Sequence, residues 1–229
     1  LGYPRFRAGQ LFQWLHGKGV FRPEEMRNLP GTLRTDLARL LPPFPVRLDG
    51  ILDGGDGTRK LRFRLADGGS VESVLIPGGK RNTLCISTQL GCRMGCLFCR
   101  TGAMGWVRNL QAGEIVGQVY ATREALGRSA PPLTHVVFMG MGEPLDNLDE
   151  TLRALRILTH PLGCCLSTRR VTVSTVGIPP GLERLFREMP VSVTVSLNAA
   201  DDETRSRLMP VNRRYPLDAV THRSLAVLV

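Results

Sequence analysis

The chain has 229 residues, 42% of them hydrophobic and 6% aromatic, with 30 Lys+Arg against 20 Asp+Glu for a formal charge of +10. That is enough chain for one large domain, or a domain with a small appendage, around an aliphatic core. Six cysteines are too few for a disulfide scaffold, no run of about 18 apolar residues could form a membrane span, and no signal peptide is visible.

In chain order, FRAGQLFQWLHGKGV predicts a helix with Leu11, Trp14 and Leu15 on one face, stopping at Gly17 and Gly19. GTLRTDLARLL predicts a second, with Leu33, Leu37, Leu40 and Leu41 at helical spacing and Pro42 and Pro43 ending it. Together they form a small basic module over 1–45, with an extended link through Pro45. A hairpin is expected over 46–82: TRKLRFRL alternates Leu61, Phe63 and Leu65 with basic residues, ADGG turns the chain, and SVESVLIP returns. From residue 83 to 229, strands and helices alternate. TLCIST, HVVFMG, RRVTVSTVG and VSVTVSLNA read as buried strands, and AGEIVGQVYATREAL, LDETLRALRILT and PPGLERLFREM as helices, the last opened by Pro179 and Pro180. The pattern predicts an α/β fold, a parallel sheet whose post-strand loops make one functional rim, as in β/α barrels.

The charge balance points to a polyanionic partner, nucleic acid first. The excess is scattered in pairs such as Arg62 with Arg64, Arg169 with Arg170 and Arg213 with Arg214, so folding has to assemble the surface. On SVESVLIP, Glu72 shares a strand face with Val74 and Ile76. It reads either as a glutamate turned to solvent on an edge strand or as a general base in a cleft with a raised pKa, and the strand alone favours the first.

Four of the six cysteines lie between Cys85 and Cys99, which favours metal or redox chemistry in a reducing compartment. GCRMGCLFCR follows the first parallel strand and holds Cys92, Cys96 and Cys99 in a C-x3-C-x2-C spacing. That spacing fits a zinc ribbon poorly, because a ribbon needs two separated pairs. His135 and His160 have no ligand-like spacing, and the adjacent Cys164 and Cys165 carry no assigned function. Three thiolates suit a [4Fe–4S] cluster that keeps one iron open for a substrate.

C-x3-C-x2-C with Phe98 before the third cysteine resembles the signature of the radical S-adenosylmethionine (SAM) enzymes. HVVFMGMGEP resembles the glycine–glutamate element of that superfamily, in which backbone and glutamate receive the cofactor ammonium. More narrowly, LCISTQLGCRMGCLFCRTGAMGWVRNL, GMGEPLDN, RRVTVSTVG and SLNAADDETRSRLMPVNRRYPL are similar to the radical SAM methyltransferases of RNA adenine, the RlmN/Cfr type. The likeness runs from Leu1 to about Leu217 and is most specific over residues 84–110. It implies a partial radical SAM β/α barrel carrying a [4Fe–4S] cluster and SAM, and methylation of C2 of adenine in 23S rRNA and transfer RNA. It implies further a cytoplasmic monomer supplied by an electron donor such as a flavodoxin.

In that chemistry one SAM methylates a cysteine near the enzyme's C-terminus, and a second supplies a radical that takes hydrogen from the methyl group, so that carbon adds at an electrophilic position. By resemblance, Cys92, Cys96 and Cys99 are cluster ligands, and Gly142, Glu143, Ser174, Ser196, Leu197 and Asn198 are SAM contacts. Glu72 matches the acceptor of the C2 proton, which reverses the bland reading, and Cys85 the second thiol, which releases product by forming a disulfide. Asn198 stands where many members have histidine. No cysteine follows Cys165, so a chain shortened at its C-terminus is expected, unable alone to complete methyl transfer. Three rivals stand beside this reading: a zinc-structured module, an RNA-binding remnant without a cluster, and a radical SAM enzyme with another outcome.

Overall fold

The structure, a computed structural model, describes residues 1–127 and 131–225; the last residues of the third segment read from sequence, 226–229, lie outside them. Two helices open the chain, α1 (Phe6–Phe12), continued by a π-helical turn over Gln13–Gly17, and α2 (Gly31–Leu40). Leu33 and Leu37 of α2 bury against Met26 and Leu29, with Leu11, Trp14 and Leu15 packed on them. Leu40 has the helical spacing but is exposed, because this small core covers only one face of α2.

Strands β1 (Val46–Asp53), β2 (Arg59–Leu65) and β3 (Ser70–Ile76) form an antiparallel meander. The sequence pattern gave only two of these. β1 escaped because its register slips between Leu48 and Gly50, and a bulge destroys the alternation that marks a strand. The meander is not a separate flap. β3 pairs with β4 (Thr83–Cys85), and β4 continues into parallel strands β7 (His135–Phe138), β8 (Val171–Thr175) and β9 (Ser192–Val195), giving one seven-stranded sheet ordered β1-β2-β3-β4-β7-β8-β9. β3 is therefore an interior strand, not an edge.

Helices α4 (Ala112–Leu126), α5 (Leu148–Thr159) and α6 (Pro179–Glu188) follow the expected segments, with Pro179 in the first turn of α6. They contribute to one core with the sheet: Ile115 and Val119 from α4, Leu152, Leu155 and Leu158 from α5, Leu182 and Leu185 from α6, against Phe63, Leu84, Val136, Phe138, Val171 and Val173. Each such side chain contributes on the order of 1.5–3 kcal/mol. Gln118 is buried among them and fully employed, accepting from Ser73 Oγ and Ser87 N at 2.8 Å and donating to the Ser87 carbonyl at 2.9 Å.

Register decides what the other face carries. Side chains directly opposite across a ladder share a face. Glu72 lies opposite Arg62, Val74 opposite Cys85, Cys85 beside Val137, Val137 beside Thr172, and Ser174 beside Thr194. Glu72, Cys85 and Ser174 thus share one face, opposite to the helix-packed face of Leu84, Val136 and Val173. β9, expected to be buried, exposes Ser192 and Thr194 on that shared face.

Candidate functional site

The cysteine loop hangs from the end of β4. It is closed by a two-stranded ribbon that sequence reading did not foresee, β5 (Gln89–Gly91) against β6 (Trp106–Asn109). Gly91 sits at φ +77° and a Cβ there would lie 2.0 Å from the Gly105 carbonyl, so only glycine closes this ribbon. Between the strands lie the short helix α3 (Arg100–Ala103) and the three cysteines. Cys92 and Cys96 are buried and Cys99 half-buried. The amide of Cys92 donates to the Gly105 carbonyl at 2.8 Å, and that of Cys99 to the Cys96 carbonyl at 3.0 Å. Burial pushes the Cys92 thiol up to about 11, and the neighbouring Glu143, Cys96 and Cys99 push it the same way. Burial raises Cys96 as well, with Cys99 adding to it. The three thiols therefore share one electrostatic neighbourhood.

The loop after β7 carries the glycine–glutamate element. Gly142 has φ +96°, and a Cβ there would meet Gln89 Cβ at 2.5 Å and Gln89 N at 2.7 Å. Gly140 is as crowded, with Ile86 backbone and Ser87 Oγ at 2.7 Å. Both glycines let this loop lie against the base of the cysteine loop. Glu143 is 3% exposed. Its Oε1 accepts from Leu145 N and its Oε2 from Val176 N, both at 2.9 Å, and Thr175 adds a side-chain bond. Among the described residues no cation pairs with it, and burial pushes its carboxyl up to about 7. A buried carboxylate with spare acceptor capacity beside the cysteines is suited to an incoming ammonium group.

Gln89, missed from sequence, knits the two loops. Its Oε1 accepts from Glu143 N at 2.8 Å, and its Nε2 donates to Asn109 Oδ1 and Asp146 Oδ2 at 2.8 Å. Asp146 also holds Arg93 at 2.8 Å, and Arg93 lies 3.9 Å above the Trp106 ring. A glutamine between a strand and a cysteine is the only local signal for this role.

Ser174 is half-buried near the end of β8. Ser196 is also half-buried, and its amide donates to the Thr175 carbonyl at 2.8 Å, continuing the ladder one residue past β9. Leu197 and Asn198 are exposed, and Asn198 takes the left-handed φ of +59° that asparagine tolerates. The strap they form is held from behind by Arg205 of α7 (Asp202–Leu208), whose Nε donates to the Leu197 carbonyl at 3.0 Å. Arg205 has no local signal, since DETRSRL reads as an ordinary charged helix.

Two predicted residues stand apart from this rim. Cys85 is 8% exposed on the shared sheet face, and burial pushes its thiol up to about 11. Glu72 is exposed and pairs with Lys60 at 3.2 Å. Cys164 is no part of the rim: its Sγ lies 3.6 Å from the Tyr120 hydroxyl and 3.7 Å from an Arg123 nitrogen, in the seam between the front helices and α4.

Three thiols on one loop are the donor type that a [4Fe–4S] cluster takes. Among the described residues no three His, Cys, Asp or Glu side chains form a group that could hold one metal ion.

Comparison with known proteins agrees. The Radical SAM superfamily matches residues 86–222, past the point near Leu217 where the likeness was expected to end, and the "Ribosomal RNA large subunit methyltransferase N-terminal domain" matches residues 1–41. The chain is 50% identical to a dual-specificity RNA methyltransferase RlmN of Geobacter sulfurreducens over 94% of this chain and 59% of the relative. It is 49% identical to the protein of the same name from Halorhodospira halophila, over 95% and 60%. The crystal structure of a radical SAM methyltransferase from Sphaerobacter thermophilus superposes with a TM-score of 0.92 at 43% identity, covering 99% of this chain and 67% of that one. The chain spans about 60% of the length of the curated relatives it matches.

Proposed function

Because the chain belongs to the radical SAM superfamily, we propose that it forms the cluster- and SAM-binding core of an enzyme that methylates C2 of adenine in RNA, in 23S rRNA and transfer RNA. One observation carries the reading: the rim gathers Cys92, Cys96 and Cys99 around an unpaired buried carboxylate, Glu143, at the ends of parallel strands whose open face also bears Cys85 and Glu72. When bound, the cluster and SAM supply one-electron chemistry, which can form a bond at an adenine carbon too electron-poor to attack the SAM methyl group itself.

The chain's own residues then divide the work. Cys92, Cys96 and Cys99 hold three irons as thiolates. Glu143 accepts the SAM ammonium, and the Gly142 backbone, free of a Cβ, admits the cofactor closely. Ser174 and the 196–198 strap orient its remaining polar groups. Glu72 takes the proton from C2; its exposure leaves it open to an RNA base, with Lys60 as the partner it gives up. Cys85 waits as a protonated thiol, its burial holding the proton on at neutral pH. The net charge of +10 supports a polyanionic substrate. In the described residues every cysteine is a free thiol, which supports a reducing cytoplasm. The enzyme works there as a monomer fed by a donor such as a flavodoxin. Residues 1–45 serve as an accessory module, 46–82 as the strands carrying Glu72, and 83–229 as the cofactor-binding part.

In the 229 residues no cysteine follows Cys165, so these residues alone are expected to bind both cofactors without completing methyl transfer. The test is anaerobic reconstitution with iron and sulfide, then iron quantitation, SAM cleavage under dithionite and C2-methyladenosine assay. About four irons per chain with 5′-deoxyadenosine formed supports the reading. A single colourless metal ion, or no iron, refutes it.

A further inference from the structure

Arg205 is a guanidinium with no exposed surface at all, the largest fully buried side chain among the described residues. Burying a cation is costly unless an anion answers it, and among the described residues no carboxylate forms an ion pair with this one. Asp202, the nearest acid by electrostatic effect, is already engaged by Leu217 N at 2.8 Å and Asn212 Nδ2 at 2.9 Å. Arg205 is instead ringed by neutral oxygens. Nε donates to the Leu197 carbonyl at 3.0 Å, Nη2 to the Val176 carbonyl at 2.6 Å, and Nη1 to the Tyr215 carbonyl at 3.2 Å and to Asn212 Oδ1.

Those oxygens belong to three separate segments. Leu197 is in the strap after β9. Val176 follows β8, and its amide is the one that holds Glu143. Asn212 and Tyr215 follow α7. The same helix touches the cysteine loop directly, since the Leu97 amide donates to the Leu208 carbonyl at 2.9 Å. A helix arginine thus ties the strap to the Val176 segment that holds Glu143, on a helix that itself touches the cysteine loop.

We propose that Arg205 is a positioning residue: its fork fixes the 196–198 strap and the Val176 backbone in SAM-binding geometry. The inference rests on the cofactor reading above. Planar five-donor geometry explains why arginine and not lysine stands here, because only a guanidinium reaches oxygens on three segments at once.

The test uses the reconstituted chain and its Arg205→Lys and Arg205→Met variants. Two readouts are taken: SAM dissociation constant, and near-ultraviolet circular dichroism for the fold. Arg205→Lys keeps the charge and loses the fork, so SAM should bind roughly tenfold more weakly with the fold unchanged. Arg205→Met loses both, so SAM should weaken at least as much. Wild-type SAM affinity in Arg205→Lys overturns the proposal. Unfolding of both variants assigns Arg205 to stability alone and overturns the proposal. A wild type that takes up no cluster sinks the cofactor reading and this inference with it.

Discussion

Glu143 and Glu72 are the two carboxylates given roles in the proposed function, and the molecule holds them in opposite ways. Glu143, at the rim, is 3% exposed, with donors on Leu145, Val176 and Thr175 converging on it. Glu72, on the meander, is exposed and shares one surface pair with Lys60. The rim around Glu143 is knitted by buried polar groups and by glycines that no other residue can replace. The face around Glu72 is set only by strand register and by exposed charges: Arg62 and Arg64 on Asp49 at 3.1 and 2.8 Å, Lys60 on Glu72. The difference matches the two tasks proposed for them. A small cofactor of fixed shape rewards a site built before it arrives, whereas a large polyanion can be met by side chains that exchange partners.

If the rim is prebuilt, the most damaging change is one that removes its fit without touching chemistry. Gly142→Ala places a Cβ 2.5 Å from Gln89 Cβ and forces φ +96° on a residue that avoids it. We expect a loss on the order of 2–4 kcal/mol in denaturant unfolding, together with loss of iron uptake. An unchanged midpoint would mean the loop has slack, and the contrast with the meander would weaken.

The second test is the cost of burying Glu143 in the ligand-free chain. A carboxyl whose folded-state pKa lies above its unfolded value contributes fully below the unfolded value, and that contribution is lost as pH rises through the folded one. Here the rise is from 4.5 to about 7, so stability should fall between about pH 4.5 and 7 by roughly 3 kcal/mol. Glu143→Gln should flatten that fall while abolishing SAM binding. A variant that keeps wild-type SAM affinity would refute the role given to Glu143.

The cysteine loop, the glycine–glutamate element and the alternation of strands with amphipathic helices were legible because each depends on local spacing. β1 was not, since the slip between Leu48 and Gly50 breaks its alternation. The β5–β6 ribbon was not, because two strands of three and four residues carry no periodicity and exist only by tertiary pairing. Gln89 and Arg205 were hidden for a related reason: their partners lie on other loops, and nothing in QLG or DETRSRL tells a buried hydrogen-bonding side chain from a solvated one. Leu40 erred the other way, apolar and correctly spaced but lacking anything to cover it.

The seam between the two regions runs through Arg108 on β6. It makes a bidentate pair with Glu114 at 2.8 Å and holds Asp67 of the β2–β3 turn at 2.7 Å. Glu114 is 7% exposed and also caps α4 through Gln111 N at 2.8 Å. Arg108→Met leaves that carboxylate without its cation. Thermal unfolding should show a loss of about 1–2 kcal/mol, discounted because Arg108 itself is 30% exposed. A loss below 0.5 kcal/mol, within the usual range of surface substitutions, would mean the rim and meander are joined by backbone pairing alone.

The smallest expected effect on stability falls on Glu72 and is the sharpest probe of function. The Lys60–Glu72 pair is 47% exposed on both sides, so Glu72→Gln should move unfolding by less than about 0.5 kcal/mol. The substitution keeps the side chain's size and its outward direction on β3, and removes only the ability to take a proton. SAM affinity and iron content should therefore match the wild type, because both belong to the rim. If Glu72 accepts the C2 proton, RNA assayed with the longer relatives carrying the matching substitution should accumulate a covalent protein–RNA adduct instead of released product. Turnover undiminished by that change would move the proton acceptor elsewhere on the open face. The exposure of Glu72 would then be what it first looked like from the strand alone, a solvated charge opposite Arg62.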